Sequence, residues 1–234
     1  MEPTRSPCTP EPTADGFDTL YSATYGQTYH SVHGALTEAR HVFLRGSGVE
    51  ERLARGLPTC VLEVGFGTGL NFLVSARRAS ELHGSLRYVA LEKEVLGSDI
   101  LARLNHGKQL GVSPLRDILL AWRRSLPENV PPGRYQVPFT DTLSLDLIVG
   151  DATVVDLPDL GYDAVYLDAF SPDANPELWT VPFFTRLYAV MRRGSRLATY
   201  SAKGTVRRSL ADAGFQVEKR PGPPGKRDML VAIR

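Results

Sequence analysis

The sequence predicts a doubly wound, mostly parallel α/β sheet, finished by an antiparallel C-terminal strand. Three observations carry this. Short apolar runs alternate with stretches of helical periodicity, and four successive runs end in glycine or a carboxylate. The last two runs lie on either side of a Pro- and Gly-rich turn at 221–225, as a terminal β-pair would. At 234 residues, 42% hydrophobic and 23% charged, the chain suits one ordinary α/β domain with a substantial core.

Residues 1–15 are rich in Pro, Thr and acids and are expected to be a disordered tail, leaving 16–234 as the folded domain. The run 61–64 reads as the first core strand. Helical spacing follows a glycine turn, over 71–79. A second strand covers 86–91 and ends in Glu92-Lys93. Residues 99–139 exceed what a simple βα unit needs and read as a helical insertion: a helix, another around 115–122, then a Pro-rich connector. Strands at 145–149 and 164–167 end in Gly150-Asp151 and Asp168. A helix over 182–191, a strand over 196–200 and a helix over 205–213 stopped by Gly214 lead to the pair 216–219 and 229–233.

No apolar run approaches the roughly 18 residues of a membrane span, and no signal-peptide pattern opens the chain, so a cytoplasmic protein is expected. Cys8 in the tail and Cys60 in a buried strand are badly placed to pair, and no metal-ligand spacing occurs. A net charge of +1 conceals an asymmetry. Residues 186–234 hold 12 Lys and Arg against 3 Asp and Glu, the remainder 15 against 23. A basic C-terminal third suits a polyanion such as RNA, although solvated helix and loop charges account for the same count.

The most informative stretch is Glu63-Val64-Gly65-Phe66-Gly67-Thr68-Gly69-Leu70-Asn71, a strand end running through three glycines into a helix. Glycine there permits a sharp turn and lets a ligand reach main-chain N–H groups. The dinucleotide fingerprint would place its third glycine at position 70, which is Leu70, and this disfavours an NAD-linked dehydrogenase. The E-x-G-x-G-x-G spacing instead resembles the nucleoside-binding loop of the Rossmann-like S-adenosyl-L-methionine (SAM) methyltransferases.

Ligands of such sheets bind beyond the carboxyl ends of the strands. Glu92 can accept hydrogen bonds from both ribose hydroxyls, or pair with Lys93 at the surface. Asp151 can accept from an adenine amino group, or form an Asx turn. Glu63 has an indirect role toward the methionine part of SAM or a structural one. Asp168 is the catalytic candidate: a carboxylate there could orient an amine and take its proton, hold the SAM ammonium group, or cap the following loop.

Further segments make the chain recognisable: Tyr29-His30-Ser31-Val32-His33-Gly34-Ala35-Leu36-Thr37-Glu38, Leu91-Glu92-Lys93, Leu167-Asp168-Ala169-Phe170-Ser171-Pro172, Asn175-Pro176-Glu177-Leu178-Trp179-Thr180 and Lys226-Arg227-Asp228-Met229-Leu230. With the glycine loop and Gly150-Asp151, they closely resemble the methyltransferase half of the bifunctional tRNA 5-methylaminomethyl-2-thiouridine biosynthesis protein MnmC and its stand-alone version, MnmD. The likeness runs in order from about residue 18 to the C-terminus. It implies SAM as cofactor, the anticodon arm of tRNA as partner, and methylation of the aminomethyl nitrogen on the wobble uridine. By position it implies SAM contacts at Gly65, Gly67, Gly69, Glu92 and Asp151, with Phe66, Asn71, Lys93 and Gly150 in the same matched segments and Asp168 at the reaction centre. Tyr29 and Glu38 match part of a pocket wall or lid.

On the tRNA side, Phe170 and Trp179 are candidates to stack on a splayed base or, more readily for each taken singly, to be core or pocket wall, with Asn175 between them. Lys203, Arg207, Lys226 and Arg227, together with Arg208, Lys219 and Arg220, could meet phosphates. Ala169 stands where the bifunctional forms usually have glycine, and Asp228 where they have glutamate. Those forms continue into an FAD-dependent oxidoreductase domain; the match ends at Arg234, so no flavin activity is expected of this chain. A methyltransferase for a small amine metabolite is the alternative, and a non-catalytic binding module that kept the fold is a further rival.

Overall fold

The computed structural model describes residues 9–234; residues 1–8, including Cys8, lie outside the described residues. Eight strands make the central sheet: β1 (Thr59–Val64), β2 (Leu86–Glu92), β3 (Gly133–Thr140), β4 (Leu143–Val149), β5 (Tyr162–Leu167), β6 (Met191–Thr199), β7 (Gln216–Pro221) and β8 (Asp228–Ile233). Their spatial order is β7-β8-β6-β5-β1-β2-β4-β3. The inner five, from β6 to β4, are parallel. Antiparallel β3 closes one flank, and β8 followed by β7 closes the other. This is the Rossmann-like arrangement expected.

Strands β1 and β5 are buried at every position because helices cover both sheet faces, so they read as mostly apolar runs, interrupted by Thr59 and Glu63 in β1 and by Asp163 in β5. Along β1 the pleat sends Val61 to one core layer and Leu62 and Val64 to the other. The first layer is roofed by helix Leu70–Glu81 and the second by helices Val181–Val190 and Gly204–Asp212. Thr180 starts the second of these helices, its hydroxyl accepting from the Phe183 N–H at 3.4 Å, with a proline in the first turn. The chain winds outward from β1 to β2 and β4, then returns to β5 on the other side. The crevice at that reversal opens between β1 and β5.

Two expectations are corrected. The insertion does hold helices, Ser98–Arg103, His106–Leu110 and Ser113–Arg124, but its connector ends in strand β3 from Gly133. That strand was hidden because it pairs on one side only, and Pro138 falls where its register with β4 shifts, between Val137 and Thr140. The segment expected to be a disordered tail is ordered from residue 9. Glu11–Pro12 pairs with Asp18–Thr19, Thr13 is buried, and Asp15 accepts from the Thr37 N–H at 2.8 Å and hydroxyl at 2.9 Å. Residues that look like loop formers in sequence here supply local hydrogen bonds. Asp18 is tied in turn to Asn105, whose N–H reaches its carboxylate at 2.8 Å, so the segment docks on the insertion. Among the described residues no helix is long and apolar enough to cross a membrane.

Candidate active site

A cavity of about 750 Å3 lies beyond the carboxyl ends of β1, β2, β4 and β5, within the range of about 300–1,000 Å3 usual for small-ligand clefts. Its floor is built by Gly65, Phe66 and Gly67 after β1, Glu92 and Lys93 after β2, Gly150 and Asp151 after β4, and Asp168 after β5. The walls come from elsewhere: Tyr29 and Glu38 from the N-terminal segment, Phe170 and Asn175 from the loop after Asp168, and Lys226 from the turn between β7 and β8.

The glycine loop has a steric reason for its composition. Gly65 has φ +91°, and a Cβ there would stand 2.7 Å from the Asp168 carbonyl oxygen; Gly67 has φ +51°, and a Cβ would meet the Tyr29 ring at 2.9 Å. Only glycine leaves room for the loop to pass between these groups. Gly69 has a different place than expected: it caps helix Leu70–Glu81 behind Phe66 and does not line the cavity.

Glu92 is half-buried, and its carboxylate binds the loop itself. Oε2 accepts from the Gly67 N–H at 2.8 Å and Oε1 from the Glu94 N–H at 3.0 Å. Burial raises its pKa, against those N–H bonds, which lower it. Each oxygen keeps a second acceptor position, so a vicinal diol can still be bridged. Asp151 serves two ends: Oδ1 closes an Asx turn, accepting from the Thr153 N–H at 2.8 Å and hydroxyl at 2.7 Å, and the residue faces the cavity. The Thr153 hydrogen bonds lower its pKa, keeping it an acceptor.

Behind the floor lies a chain of acids joined by one amide. Asn71 Nδ2 donates to Glu63 Oε1 at 2.8 Å and to Asp168 Oδ2 at 2.7 Å. Neither Glu63 nor Asn71 lines the cavity; both support Asp168 from behind, which for Glu63 is the structural alternative given for it. Burial pushes the Glu63 carboxyl up to about 8. The pKa of Asp168 is raised well above the usual carboxylate range, first by burial and then by the charges of Glu38 and Glu63, opposed by the Asn71 hydrogen bond and Lys226. Glu38 is buried and takes Lys226 Nζ on Oε1 at 2.5 Å and the Ser31 N–H on Oε2 at 3.1 Å.

Of the residues expected on the substrate side, Phe170 is at the cavity, stacked on Tyr25 with ring centroids 4.2 Å apart and met edge-on by Tyr29. Trp179 takes the core alternative given for it and acts as a support. It is 5% exposed and outside the cavity, and its indole N–H holds the Phe170 carbonyl at 3.0 Å. Lys203, Arg207 and Arg227 are exposed and outside the cavity; Lys203 pairs with Asp173. Sequence reasoning missed Tyr25, Gln27 and Tyr200. Gln27 clasps Ser171, donating to its hydroxyl at 2.6 Å and accepting its N–H at 3.1 Å. Tyr200 follows β6 directly, a strand-end position that could have flagged it; Tyr25 and Gln27 carry no periodic signal.

Residues 114–234 match a family model described as S-adenosyl-L-methionine-dependent methyltransferase. The crystal structure of MNMC2 from Aquifex aeolicus is 30% identical, covers 96% of this chain and 69% of its own, and superposes with a TM-score of 0.77. The chain belongs to this family, as its MnmC methyltransferase domain. Two curated relatives match nearly its whole length: the tRNA 5-methylaminomethyl-2-thiouridine biosynthesis bifunctional proteins MnmC of Cupriavidus metallidurans and Ralstonia nicotianae, 41% and 40% identical over 95% and 96% of this chain. The chain spans about a third of their length. Spermidine synthase from Thermotoga maritima, 11% identical with a TM-score of 0.54, shares the fold.

This SAM-dependent methyltransferase has a cavity that fits its cofactor. The Gly65–Gly67 cradle would be filled by any Cβ, Glu92 offers two oxygens to a diol, and Asp151 offers an acceptor at the far end.

Proposed function

We propose that the protein methylates the nitrogen of 5-aminomethyl-(2-thio)uridine at the wobble position of tRNA, giving 5-methylaminomethyl-(2-thio)uridine, in the cytoplasm. The observation that carries this is the carboxylate pair at the cavity floor, Asp168 held by Asn71 with Glu38 beside it, in a family member whose bifunctional relatives are named for that nucleoside.

SAM, when bound, supplies a methyl group on a sulfonium, open to in-line attack by a neutral amine. An alkyl ammonium titrates roughly between 8 and 10, so it must lose a proton first. An isolated aspartate of ordinary pKa is a poor acceptor for it. Asp168, with its raised pKa, is a better match. A cation arriving beside it favours its ionised form, so binding prepares the base that then takes the proton. Asn71 keeps Oδ2 pointed and leaves Oδ1 for the amine. The reading assigns Glu92 to the ribose, Asp151 to the adenine amino group, and Gly65, Phe66, Gly67, Lys93, Gly150 and Tyr29 to the rest of the cofactor's surround. Phe170 and Tyr25 offer a stacking face for the uracil ring, and Lys203, Arg207 and Arg227 offer charge to the anticodon-arm phosphates.

The test is mass spectrometry of nucleosides from aminomethyl-bearing tRNA incubated with the protein and SAM. A gain of one methyl on the wobble uridine is expected. No gain on tRNA, with methylation of a free amine at a rate indifferent to salt, would replace this reading with the small-amine one.

A further inference from the structure

We propose that Glu38, Tyr200 and Asp168 form a subsite for a primary alkylammonium ion, and that the protein's own Lys226 occupies it until the substrate amine displaces it. This deepens the proposed function and rests on an amine being the methyl acceptor.

The arrangement is that of a bound ammonium ligand. Lys226 Nζ sits 2.5 Å from Glu38 Oε1 and 3.9 Å from the centroid of the Tyr200 ring, a carboxylate on one side and a π face on another. The Tyr200 ring is fixed: its hydroxyl donates to the Ala169 carbonyl at 2.8 Å, and Trp179 packs edge-on against it. Glu38 is fixed by the Ser31 N–H. The lysine, by contrast, hangs from the turn between β7 and β8, where its own N–H donates to the Pro223 carbonyl at 2.9 Å. Its side chain is 29% exposed, while that of Glu38 is 6% exposed. The carboxylate at the heart of the receptor is therefore buried and braced, and its present occupant is a flexible stem entering from the surface.

All three groups line the same cavity as Asp168, whose ionisation both Glu38 and Lys226 bias. An aminomethyl group carries the same ammonium on a single carbon and can make the same two contacts beside Asp168. The exchange conserves charge. One ammonium replaces another, so the exchange itself leaves the buried Glu38 carboxylate paired. A neutral or hydroxyl-bearing analogue cannot displace the lysine, which gives the site selectivity for the amine over the unmodified or hydroxymethyl base.

The test uses the full chain, SAM-loaded, with ethylammonium chloride as the ligand, titrated by calorimetry against wild type, Lys226→Met, and Lys226→Met combined with Glu38→Gln. Lys226→Met is expected to bind ethylammonium at least tenfold more tightly than wild type, and the added Glu38→Gln to abolish the gain. Lys226→Gln repeats the measurement should the methionine variant fold poorly. With aminomethyl-bearing tRNA, Lys226→Met should lower KM. Equal ethylammonium affinity in wild type and both Lys226 variants would overturn the proposal, as would a raised KM with no gain in ethylammonium binding, the result expected of a phosphate contact or a brace for Glu38. The ethylammonium titration does not depend on tRNA turnover, so failure of the wobble-uridine reading and failure of the subsite are separable.

Discussion

Two aspartates stand at opposite ends of one strand, Asp163 buried and Asp168 half-buried, and their surroundings differ in a way that separates structure from chemistry. Asp163, near the start of β5, accepts from Arg52 at 2.9 Å, Arg192 at 2.8 Å and the Cys60 N–H at 2.8 Å. Asp168, just beyond the end of β5, is held by a neutral amide and faces two more carboxylates, Glu38 and Glu63. At the first end charge is neutralised in contact and the group becomes a brace between β5, β1 and the neighbouring helix and strand. At the second, the nearby cation Lys226 lies on Glu38 rather than on Asp168, and the Asp168 carboxyl stays raised in pKa. Strain left unrelieved at the carboxyl ends of the strands marks the working end of this sheet.

The contrast can be broken by substitution. Asp168→Asn keeps the shape and removes the base, so transfer should fall by about 10²–10⁴-fold while SAM affinity stays near wild type; single-turnover kinetics and calorimetry read the two effects. Unchanged turnover would remove Asp168 from the reaction centre. Glu92→Ala should weaken SAM binding by about 1.5–3 kcal/mol, the scale of a charge-assisted hydrogen bond, and loosen the loop at Gly67. Equal affinity by calorimetry would deny the ribose role. Asp163→Ala should cost stability instead, about 2 kcal/mol in a urea titration, less than a fully buried pair because Arg192 is 55% exposed. Its rate per folded molecule should match wild type.

Glu63 sharpens the comparison through pH. Burial holds its carboxyl near 8 in the folded chain against 4.5 in its absence. Between those values the folded state keeps a proton that the unfolded state has released, so stability falls as pH rises through the window and levels above it. Glu63→Gln, which retains a group for Asn71 to bond, should flatten that slope in melting curves taken from pH 5 to 8. An unaltered slope would mean that Glu63 is ionised in the folded protein.

The sheet and half of the site were legible in the sequence because both follow from short-range physics. A strand covered on both faces is mostly apolar, as β1 and β5 are apart from Thr59, Glu63 and Asp163, and the residues at or just past the strand ends, Gly65, Glu92, Asp151 and Asp168, can be counted off without knowing the fold in detail. Legibility failed where the deciding partner is remote or the pattern one-sided. Strand β3 has one neighbour and a proline at its bulge, and residues 9–15 are ordered by partners on Thr37 and Phe17 rather than by their own composition. For Trp179 the sequence left base stacking and core both open, and only its packing makes it a buried prop.

The sequence by itself determined the architecture, the glycine loop and the acid at each strand tip, since periodicity and steric demand act within a few residues. Only the tertiary structure decided that Asn71 joins Glu63 to Asp168, 97 residues from its own place in the chain, and that Lys226 lies on Glu38, 188 residues away. Electrostatic environment depends on which charges share a cavity, and which charges share a cavity is settled by how the sheet winds.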